Sequence, residues 1–372
     1  MDFGWTAAQR ALHDRMRALG AEADAAAPDD RLPILARGGA LGLPIAAEHG
    51  GGGLDLVTTA LAYEALGASL RDAGVLLAAG AHLFGVALTV ARIGAPEQRR
   101  AWLPRLAAGE VIATVAATEA AAGSDVASVE ALATPAPAPS GSGFLLDADK
   151  RYVTWADRAG LYLTLARHGA GERGLTTLLV PRGPGVEPGA LLPTAGLRGA
   201  RLAPVRFTDC ALGPEALLGR AGAGLAVFQV AMTFERALIL AFRLGAMERA
   251  LDDAVRFARE RRPGGDPIAR RDAVAHRLAR MKQRLETSRM LVYRAAWELD
   301  QGHRAQAEAA LAKWHVAEAA LASAIDGLAL RGGAGFLEDS GLPADVDDAL
   351  GGTIHSGTPD VLATIVARWL GA

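Results

Sequence analysis

The stretch VAATEAAAGSD, from Val115 to Asp125, decides how the chain is divided. Its first residues form a short apolar run suited to a buried strand, and Gly123 and Ser124 then permit a tight turn. The N–H groups of such a turn, with the Ser124 hydroxyl, can hold a phosphate or the polar edge of a planar ring. A Gly-Ser-Asp sequence alone is more often an ordinary turn, so the flanking sequence has to decide.

The pattern of apolar residues changes on both sides of this stretch. Before it, residues such as Leu12, Met16 and Leu19 recur at helical spacing. After it come short apolar segments spaced as in a small barrel or sandwich. Long amphipathic segments then return, and their short connections predict an antiparallel bundle in which Leu225–Arg261 forms one continuous helix. We therefore predict three domains: helical 1–112, β 113–220 and helical bundle 221–372.

The predicted β domain contains six short segments that read as strands, separated by Gly and Pro. They are Val111–Ala117, Gly143–Leu146, Tyr152–Thr154, Leu161–Ala166, Thr176–Val180 and Val205–Phe207. The intervening PAPAPSGSG, Pro135–Gly143, predicts an exposed hairpin loop.

Composition excludes several classes of protein. The chain has 372 residues, 51% of them hydrophobic, and a formal net charge of −2. This apolar content excludes general disorder, and the near-neutral charge argues against a nucleic-acid binder. We read no signal peptide and no membrane-spanning run of about 20 uncharged apolar residues, so we expect a cytoplasmic protein. The single cysteine, Cys210, excludes an internal disulfide, and the histidine spacing predicts no metal site.

Two further segments carry polar groups in informative patterns. In KRYVTWADRA, Tyr152 and Thr154 are two apart, which predicts that they share one strand face, where a ring could stack and a hydroxyl could bond to it. In the C-terminal stretch, glycines cluster at LRGGAGF, Leu330–Phe336. The sequence HSGT then leads into a last helix, with Thr358 or Ser356 as its N-cap. Each segment also has an ordinary reading, as a half-buried strand or as helix caps.

Together, the order and spacing of these segments resemble those of the acyl-CoA dehydrogenase flavoproteins, almost end to end. The matching segments are LPIAAEHGGGG (Leu43–Gly53), GAPEQRRAWLPRLAAGE (Gly94–Glu110), the TE…AGSD stretch, VRFTDCALGPEALLG (Val205–Gly219), Ala258–Ile268 and Gly332–Thr358. The resemblance implies an N-terminal helical domain, a central β-barrel domain and a C-terminal four-helix bundle. It also implies FAD between the β domain and the bundle, and oxidation of the Cα–Cβ bond of an acyl thioester, with the hydride passing to flavin N5.

The resemblance assigns cofactor-binding roles residue by residue. Eight positions match the flavin and phosphate contacts that the family makes within one chain: Ala117, Thr118, Gly123, Ser124, Tyr152, Thr154, Gly357 and Thr358. Four positions match contacts to the FAD of a neighbouring subunit or to the adenine side of FAD: Arg261, Gly332, Gly333 and Gly335. Pro263, Gly264 and Asp272 depart from the family pattern beside Arg261, which weakens the expected contacts there. Asp347-Asp348 replaces an Arg-Asp pair, so we expect a family ion pair to be lost.

The position of the catalytic base is the main departure. Ser356 stands where most members of the family have the catalytic glutamate, and a serine hydroxyl has no suitable pKa for a base. One branch of the family places the glutamate on a bundle helix, directly before an arginine, and Glu235-Arg236 occupies that register. We predict Glu235 as the base that takes the α-proton, with Ser124, Arg236 and Ser356 at the substrate. Two alternatives stay open: a catalytically silent subunit, and a flavin oxidase or monooxygenase.

The resemblance also predicts partners. The acyl thioester is carried by coenzyme A or by an acyl carrier protein, and the electrons leave to an electron-transfer flavoprotein or to oxygen. Completion of the FAD site by Arg261 of a neighbour predicts a homodimer or homotetramer.

Overall fold

We describe residues 4–136, 143–168 and 174–372 in a computed structural model of the chain. The middle of the predicted hairpin loop at Pro135–Gly143, residues 137–142, lies outside this part of the chain. The order of helical domain, sheet domain and helical bundle agrees with the predicted fold class.

From residue 4 onward, where its description begins, the N-terminal domain is built from six α-helices. They are α1 (Ala7–Ala25), α2 (Arg31–Arg37), α3 (Leu56–Ser69), α4 (Ala73–Gly80), α5 (Leu88–Ile93) and α6 (Pro96–Ala107). Helix α1 begins at a capping box in which the Thr6 hydroxyl accepts from the Gln9 N–H. A π-helical stretch, Ala81–Ala87, joins α4 to α5 without a break in the helix axis.

The stretch Ala73–Ile93 corrects one expectation. By length and composition alone, its 21 residues and a second stretch, Gly224–Glu260, are apolar enough to cross a membrane, contrary to our reading that no such run exists. The most apolar window of Ala73–Ile93 is entirely buried inside the fold. A helix that is apolar all round is buried either in lipid or in a protein core, and here the protein supplies the core.

In its described residues, 113–136, 143–168 and 174–220, the central domain forms a mixed eight-stranded sheet. Its strands are β1 (Ala113–Ala116), β2 (Leu132–Pro135), β3 (Phe144–Val153), β4 (Leu161–Arg167), β5 (Leu175–Pro181), β6 (Val186–Pro188), β7 (Ala203–Leu212) and β8 (Leu217–Leu218). The order is β6-β7-β3-β2-β4-β5-β8, and β1 pairs with β4 in parallel. The short strands β2, β6 and β8 were not predicted, because runs of two to four residues carry too little alternation to stand out.

A β-bulge corrects the prediction that Tyr152 and Thr154 share one face of a strand. The register between β3 and β7 shifts between Lys150 and Val153. Tyr152 has a left-handed backbone with φ of 56°, and β3 ends at Val153, so Thr154 lies in the following turn. A bulge re-aims side chains, so the simple alternation used in the prediction fails at this point.

The C-terminal domain contains four long helices and two shorter ones. They are α7 (Gly224–Leu238), α8 (Ala241–Glu260), α9 (Asp272–Asp300), α10 (Gln306–Arg331), α11 (Leu342–Gly351) and α12 (Pro359–Leu370). The predicted single helix Leu225–Arg261 is therefore wrong, since it divides at Ile239–Leu240. Both residues are buried and neither is Gly or Pro, so the apolar pattern runs through the break without marking it. Single 3₁₀ turns lie elsewhere in the chain, among them Ile268–Arg270 and Gly332–Phe336.

Helix α7 connects the three domains. Phe228, Ala231 and Met232 on one side of it form an apolar cluster with Ala117, which directly follows β1. Toward the N-terminal domain, α7 packs against the π-helical stretch. The residues near the C-terminal end of α7 therefore lie where helical domain, sheet and bundle meet.

Candidate active site

Glu235 is placed at this junction by the apolar stripe of α7. It follows Phe228, Ala231 and Met232 at helical spacing, and it is only 7% exposed. Burial raises the pKa of the Glu235 carboxyl, because desolvation penalises the charged form. The Ser356 hydroxyl, Arg236 and Lys313 each lower it in part. A buried carboxyl with a raised pKa has the properties of a general base that works near neutral pH.

Ser356 donates its hydroxyl proton to Oε1 of Glu235. The turn that carries it is left-handed at two successive residues, with φ of 57° at Ser356 and 107° at Gly357. This backbone turns the hydroxyl back toward α7. On the other side of the hydroxyl, His355 Nδ1 lies 3.0 Å from Ser356 Oγ. The serine that stands in the usual place of the base thus contacts the glutamate predicted to replace it.

Two cations, the half-buried Arg236 and the buried Lys313, donate hydrogen bonds to the same turn. The Arg236 Nε–H donates to the Ser356 carbonyl at 2.9 Å, and the Lys313 ammonium donates to the Gly357 carbonyl at 2.6 Å. Lys313 is 1% exposed, and burial together with the charge of Arg236 lowers its pKa to about 7. Thus Arg236 and Ser356, predicted to contact substrate, both have partners inside the chain.

Sequence reasoning missed Lys313, although a signal was present. It is one of three lysines, and it stands on the apolar stripe Ala309, Ala312, Val316 and Ala320 of α10. A lysine at a core position of an alanine-rich helix has to find a buried partner, since an unpaired ammonium is costly to desolvate.

Gly85 lies close to Oε2, the other oxygen of the Glu235 carboxylate. It lies in the π-helical stretch, and a Cβ atom built on it would stand 2.7 Å from Oε2 of Glu235 and 3.0 Å from a methyl group of Val115. Only glycine leaves room for the carboxylate here. In the described residues, Oε2 accepts no hydrogen bond, whereas Oε1 is occupied by Ser356. The free oxygen is the one available to a substrate proton.

Among the predicted flavin residues of the sheet domain, Ala117 lies beside α7. Ala117 packs against Phe228 and Met232, and the Thr118 carbonyl accepts from the Arg151 N–H at 2.8 Å, which places Tyr152 next to it. The remaining predicted members differ in exposure: Gly123 has no atom within 4 Å of a built Cβ, Ser124 is exposed and Thr154 is half-buried.

These groups fit a large planar cofactor with polar edges. Tyr152 presents a ring that is 61% exposed from a left-handed backbone position. Such a backbone is costly for a bulky residue and is found mostly where function requires it. Hydroxyls, exposed backbone N–H groups and an accessible aromatic ring are the donor set that an isoalloxazine needs.

A second group of predicted residues lies at the far end of the bundle. Gly332, Gly333 and Gly335 follow α10, and Arg331 stacks over Phe257, one turn before Arg261 at the end of α8. With 1.5 Å rise per residue, Gly332 lies about 28 Å along α10 from Lys313. Within one chain, α7 contacts Ala117 through Phe228 and Met232 and contacts the turn at Ser356 through Glu235 and Arg236. Arg261 and the glycine cluster lie at the other ends of α8 and α10.

Two conspicuous carboxylates turn out to be structural. Glu119, next to Thr118, accepts from the Lys150 ammonium at 2.6 Å and from the Ala131 N–H at 3.0 Å. Asp348 accepts from the Leu197 N–H at 2.5 Å, and Arg243 donates to its backbone carbonyl. Arg243 comes from α8, so a charged contact persists at Asp348 although the arginine of the Arg-Asp pair is missing.

Comparison with known proteins shows the family of the chain. Three family models match the chain: the acyl-CoA dehydrogenase N-terminal domain over residues 6–110, the middle domain over 114–210 and the C-terminal domain over 222–371. The chain belongs to the acyl-CoA dehydrogenase family. It is therefore an FAD-dependent oxidoreductase that acts on CH–CH bonds of acyl thioesters, which confirms the resemblance, the enzyme class and the cofactor predicted from the sequence.

Among its relatives, members that act on carrier proteins are prominent. An L-prolyl-[peptidyl-carrier protein] dehydrogenase of Pseudomonas fluorescens is 39% identical over 91% of this chain and 89% of its own length. An acyl-CoA dehydrogenase of Bacillus subtilis is 30% identical over 92% of this chain and 90% of its own. The solved structure of the prolyl acyl carrier protein oxidase AnaB superposes with a TM-score of 0.95 at 30% identity, covering 99% of this chain and all of that one.

Proposed function

We propose that this enzyme dehydrogenates an L-prolyl thioester carried on a carrier protein, with Glu235 as the base. The observation that carries the proposal is the Glu235 carboxylate itself: it is buried, it lies on the helix that packs against Ala117, and one of its oxygens accepts no hydrogen bond from the described residues. The alternative position for a base, residue 356, holds a hydroxyl that already donates to Glu235.

The chemistry follows from what the chain's residues hold. A thioester carbonyl acidifies the proton on the neighbouring Cα, and Glu235 Oε2 accepts that proton. Because Glu235 is largely buried, its carboxylate is poorly solvated, and the pKa of the carboxyl is raised before the substrate arrives. The bound FAD supplies the acceptor for the hydride from Cβ, so the substrate loses one proton and one hydride and gains a double bond.

We propose two groups of residues as the FAD site. Within one chain, Ala117, Thr118, Gly123, Ser124, Tyr152, Thr154, Gly357 and Thr358 line the flavin side. From a neighbouring chain, Arg261, Gly332, Gly333 and Gly335 would complete it. The separation of about 28 Å along α10 between Lys313 and Gly332 supports this division.

The same division supports a homodimer or homotetramer assembled through the bundle. Several large apolar side chains of this domain are exposed in the single chain, including Trp297, Phe336, Leu337 and Trp369. Exposed apolar groups concentrated in one domain are typical of an interface. We further propose the domain limits 1–112, 113–220 and 221–372, and a cytoplasmic location.

The substrate class is supported by the relatives. The dehydrogenases of Pseudomonas fluorescens and Serratia sp., 39% and 33% identical, are both named for an L-prolyl group on a peptidyl carrier protein. A solved structure of PigA with FAD and proline superposes with a TM-score of 0.94 at 30% identity. Reoxidation by an electron-transfer flavoprotein or by oxygen follows from the family's chemistry.

The decisive experiment is anaerobic mixing of the FAD-loaded enzyme with L-prolyl carrier protein, with butyryl-CoA in a parallel sample. We expect loss of the oxidised flavin absorbance with the prolyl thioester and little change with butyryl-CoA. Faster bleaching by butyryl-CoA would reassign the substrate to coenzyme A thioesters. Absence of bleaching by either thioester would favour the silent-subunit alternative.

Readmission of air after reduction separates the electron acceptors. Rapid return of the flavin absorbance in air indicates an oxidase, and slow return that is accelerated by added electron-transfer flavoprotein indicates a dehydrogenase.

A further inference from the structure

The turn at residues 355–358 is held in an unfavourable backbone conformation. Ser356 is not glycine, yet its φ of 57° is left-handed, and Gly357 follows at 107°. A left-handed residue with a Cβ costs about 1–2 kcal/mol and persists where its surroundings fix it. The left-handed backbone at Ser356 therefore requires neighbouring groups that fix it.

Two charge-assisted hydrogen bonds end on consecutive carbonyls of this turn. Arg236 Nε–H donates to the Ser356 carbonyl at 2.9 Å, and Lys313 Nζ–H donates to the Gly357 carbonyl at 2.6 Å. Hydrogen bonds from charged donors are stronger than neutral ones. Arg236 belongs to the same helix as Glu235, whereas Lys313 comes from α10, on another side of the turn. The turn is therefore fastened from two helices.

The same turn directs the Ser356 hydroxyl onto Glu235. The hydroxyl donates to Oε1 and so leaves Oε2 as the free oxygen. A rotation of the Ser356–Gly357 peptides would withdraw the hydroxyl from the carboxylate. Any group that fixes these peptides thereby fixes the hydrogen bonding of the base.

We propose that Lys313 is a positioning residue: its ammonium, bonded to the Gly357 carbonyl, holds the Ser356 hydroxyl on Glu235 and keeps the carboxylate ionised and correctly placed. This inference rests on the proposed role of Glu235 as base. It adds a requirement for a charged lysine that touches neither substrate nor cofactor.

The charged groups that face Lys313 determine the pH range in which its side chain is protonated. From α7 these are Glu235 and Arg236, of opposite sign, and from the turn itself His355, whose pKa is lowered by burial and by the charges of Lys313 and Arg243. Because burial and Arg236 bring the pKa of Lys313 to about 7, its charge is lost within the working range of pH. Flavin reduction should therefore rise with pH as Glu235 ionises and fall again as Lys313 loses its proton.

The test compares Lys313→Arg, Lys313→Gln and Lys313→Met by anaerobic first-turnover flavin reduction with L-prolyl carrier protein from pH 5 to 9. Lys313→Arg keeps a cation at every pH, so we expect the falling alkaline limb to disappear while the acid limb stays. Lys313→Gln keeps a donor without charge, and Lys313→Met keeps neither. We expect both to move the acid limb to higher pH and to slow reduction at pH 7 about 10-fold or more, within the range typical of perturbed acid–base catalysis.

Controls separate this inference from folding and from the proposed function. Arg100→Met removes an exposed cation of the N-terminal domain and should leave both limbs in place. The FAD content and near-UV circular dichroism of each variant report on folding independently of activity. If the Lys313 variants keep the wild-type pH profile while Glu235→Gln abolishes reduction, the positioning role is wrong and the base assignment stands. If Glu235→Gln reduces flavin at the wild-type rate, the base assignment itself is wrong.

Discussion

Glu119 in the sheet domain and Glu235 in the bundle are both buried glutamates near a buried lysine, but their surroundings differ. Both oxygens of Glu119 are hydrogen-bonded: Oε1 by Lys150 and the Ala131 N–H, Oε2 by the Glu130 N–H at 2.5 Å. The Lys150 ammonium also donates to the carbonyls of Ala117 and Leu165, so its three protons are all used.

Around Glu235 the donors point elsewhere. Arg236 and Lys313 donate to the carbonyls of Ser356 and Gly357. Among the residues that the structure describes, only the Ser356 hydroxyl donates to the carboxylate. Both cations therefore interact electrostatically with the carboxylate, but neither donates a hydrogen bond to it. Burial next to a lysine does not by itself assign a role to a carboxylate. A fully bonded pair stabilises the fold, whereas an incompletely bonded carboxylate retains an oxygen for chemistry.

The largest expected difference between Glu235 and Glu119 is in the rate of flavin reduction. Glu235→Gln should slow first-turnover flavin reduction by ~10²–10⁴-fold, because an amide cannot accept the α-proton. The enzyme should still bind FAD. Glu318→Gln, an exposed glutamate of α10, is the matched control and should reduce flavin at the wild-type rate. Glu119→Gln should affect the folded fraction rather than the rate per bound flavin.

The second prediction concerns the free energy of unfolding, which should depend strongly on the Glu119–Lys150 pair. Lys150→Met leaves Glu119 as a buried carboxylate without its cation, which should lower the free energy of unfolding by about 3–5 kcal/mol. Urea unfolding followed by circular dichroism measures this. Arg100→Met, in an exposed i,i+3 pair, should change the same quantity by less than about 0.5 kcal/mol. A loss at Lys150 no larger than at Arg100 would contradict the structural role of the Glu119–Lys150 pair.

The space around the Glu235 carboxylate provides a third test, because a new methyl group there should slow flavin reduction. Gly85→Ala places a methyl group 2.7 Å from Oε2, closer than van der Waals contact allows, and displacement of the base by about 1 Å can cost ~10²-fold in rate. We expect slower flavin reduction with little change in FAD content. Gly80→Ala is the control in the same helical segment, because its new methyl group meets the end of the flexible Ile239 side chain. Equal effects of the two substitutions would show that general helix strain is responsible.

The smallest effect concerns stability as a function of pH. Because burial raises the pKa of Glu235, the folded state binds its proton more tightly than the unfolded chain does. The stability that this proton contributes is present at low pH and is lost as pH rises through the raised pKa. Glu235→Gln has no such loss, so its melting temperature relative to wild type should increase from pH 5 to pH 8. A difference that stays constant over this range would contradict the raised pKa.

Much of the architecture follows from local patterns in the sequence. Helical periodicity, turn residues and the three polar segments suffice for the order of helices, strands and bundle, and the spacing of those segments indicates the family. Glu235 is identifiable because Ser356 occupies the usual place of the base and Glu235-Arg236 a known alternative. Local patterns fail where packing intervenes: at the bulge around Tyr152, at the break after Leu238 and in the buried apolar stretch Ala73–Ile93.

The sequence by itself determined which side chains were available: one glutamate in the right register, one serine where a base was expected, and a lysine on an apolar stripe. Only the tertiary structure decided how they are used. Glu235, Ser356, Lys313 and Gly85 come from α7, the turn before α12, α10 and the π-helical stretch, and no local pattern relates these elements to one another. Their hydrogen bonds depend on angstrom-scale distances between segments far apart in the chain, which are fixed by packing of the whole core.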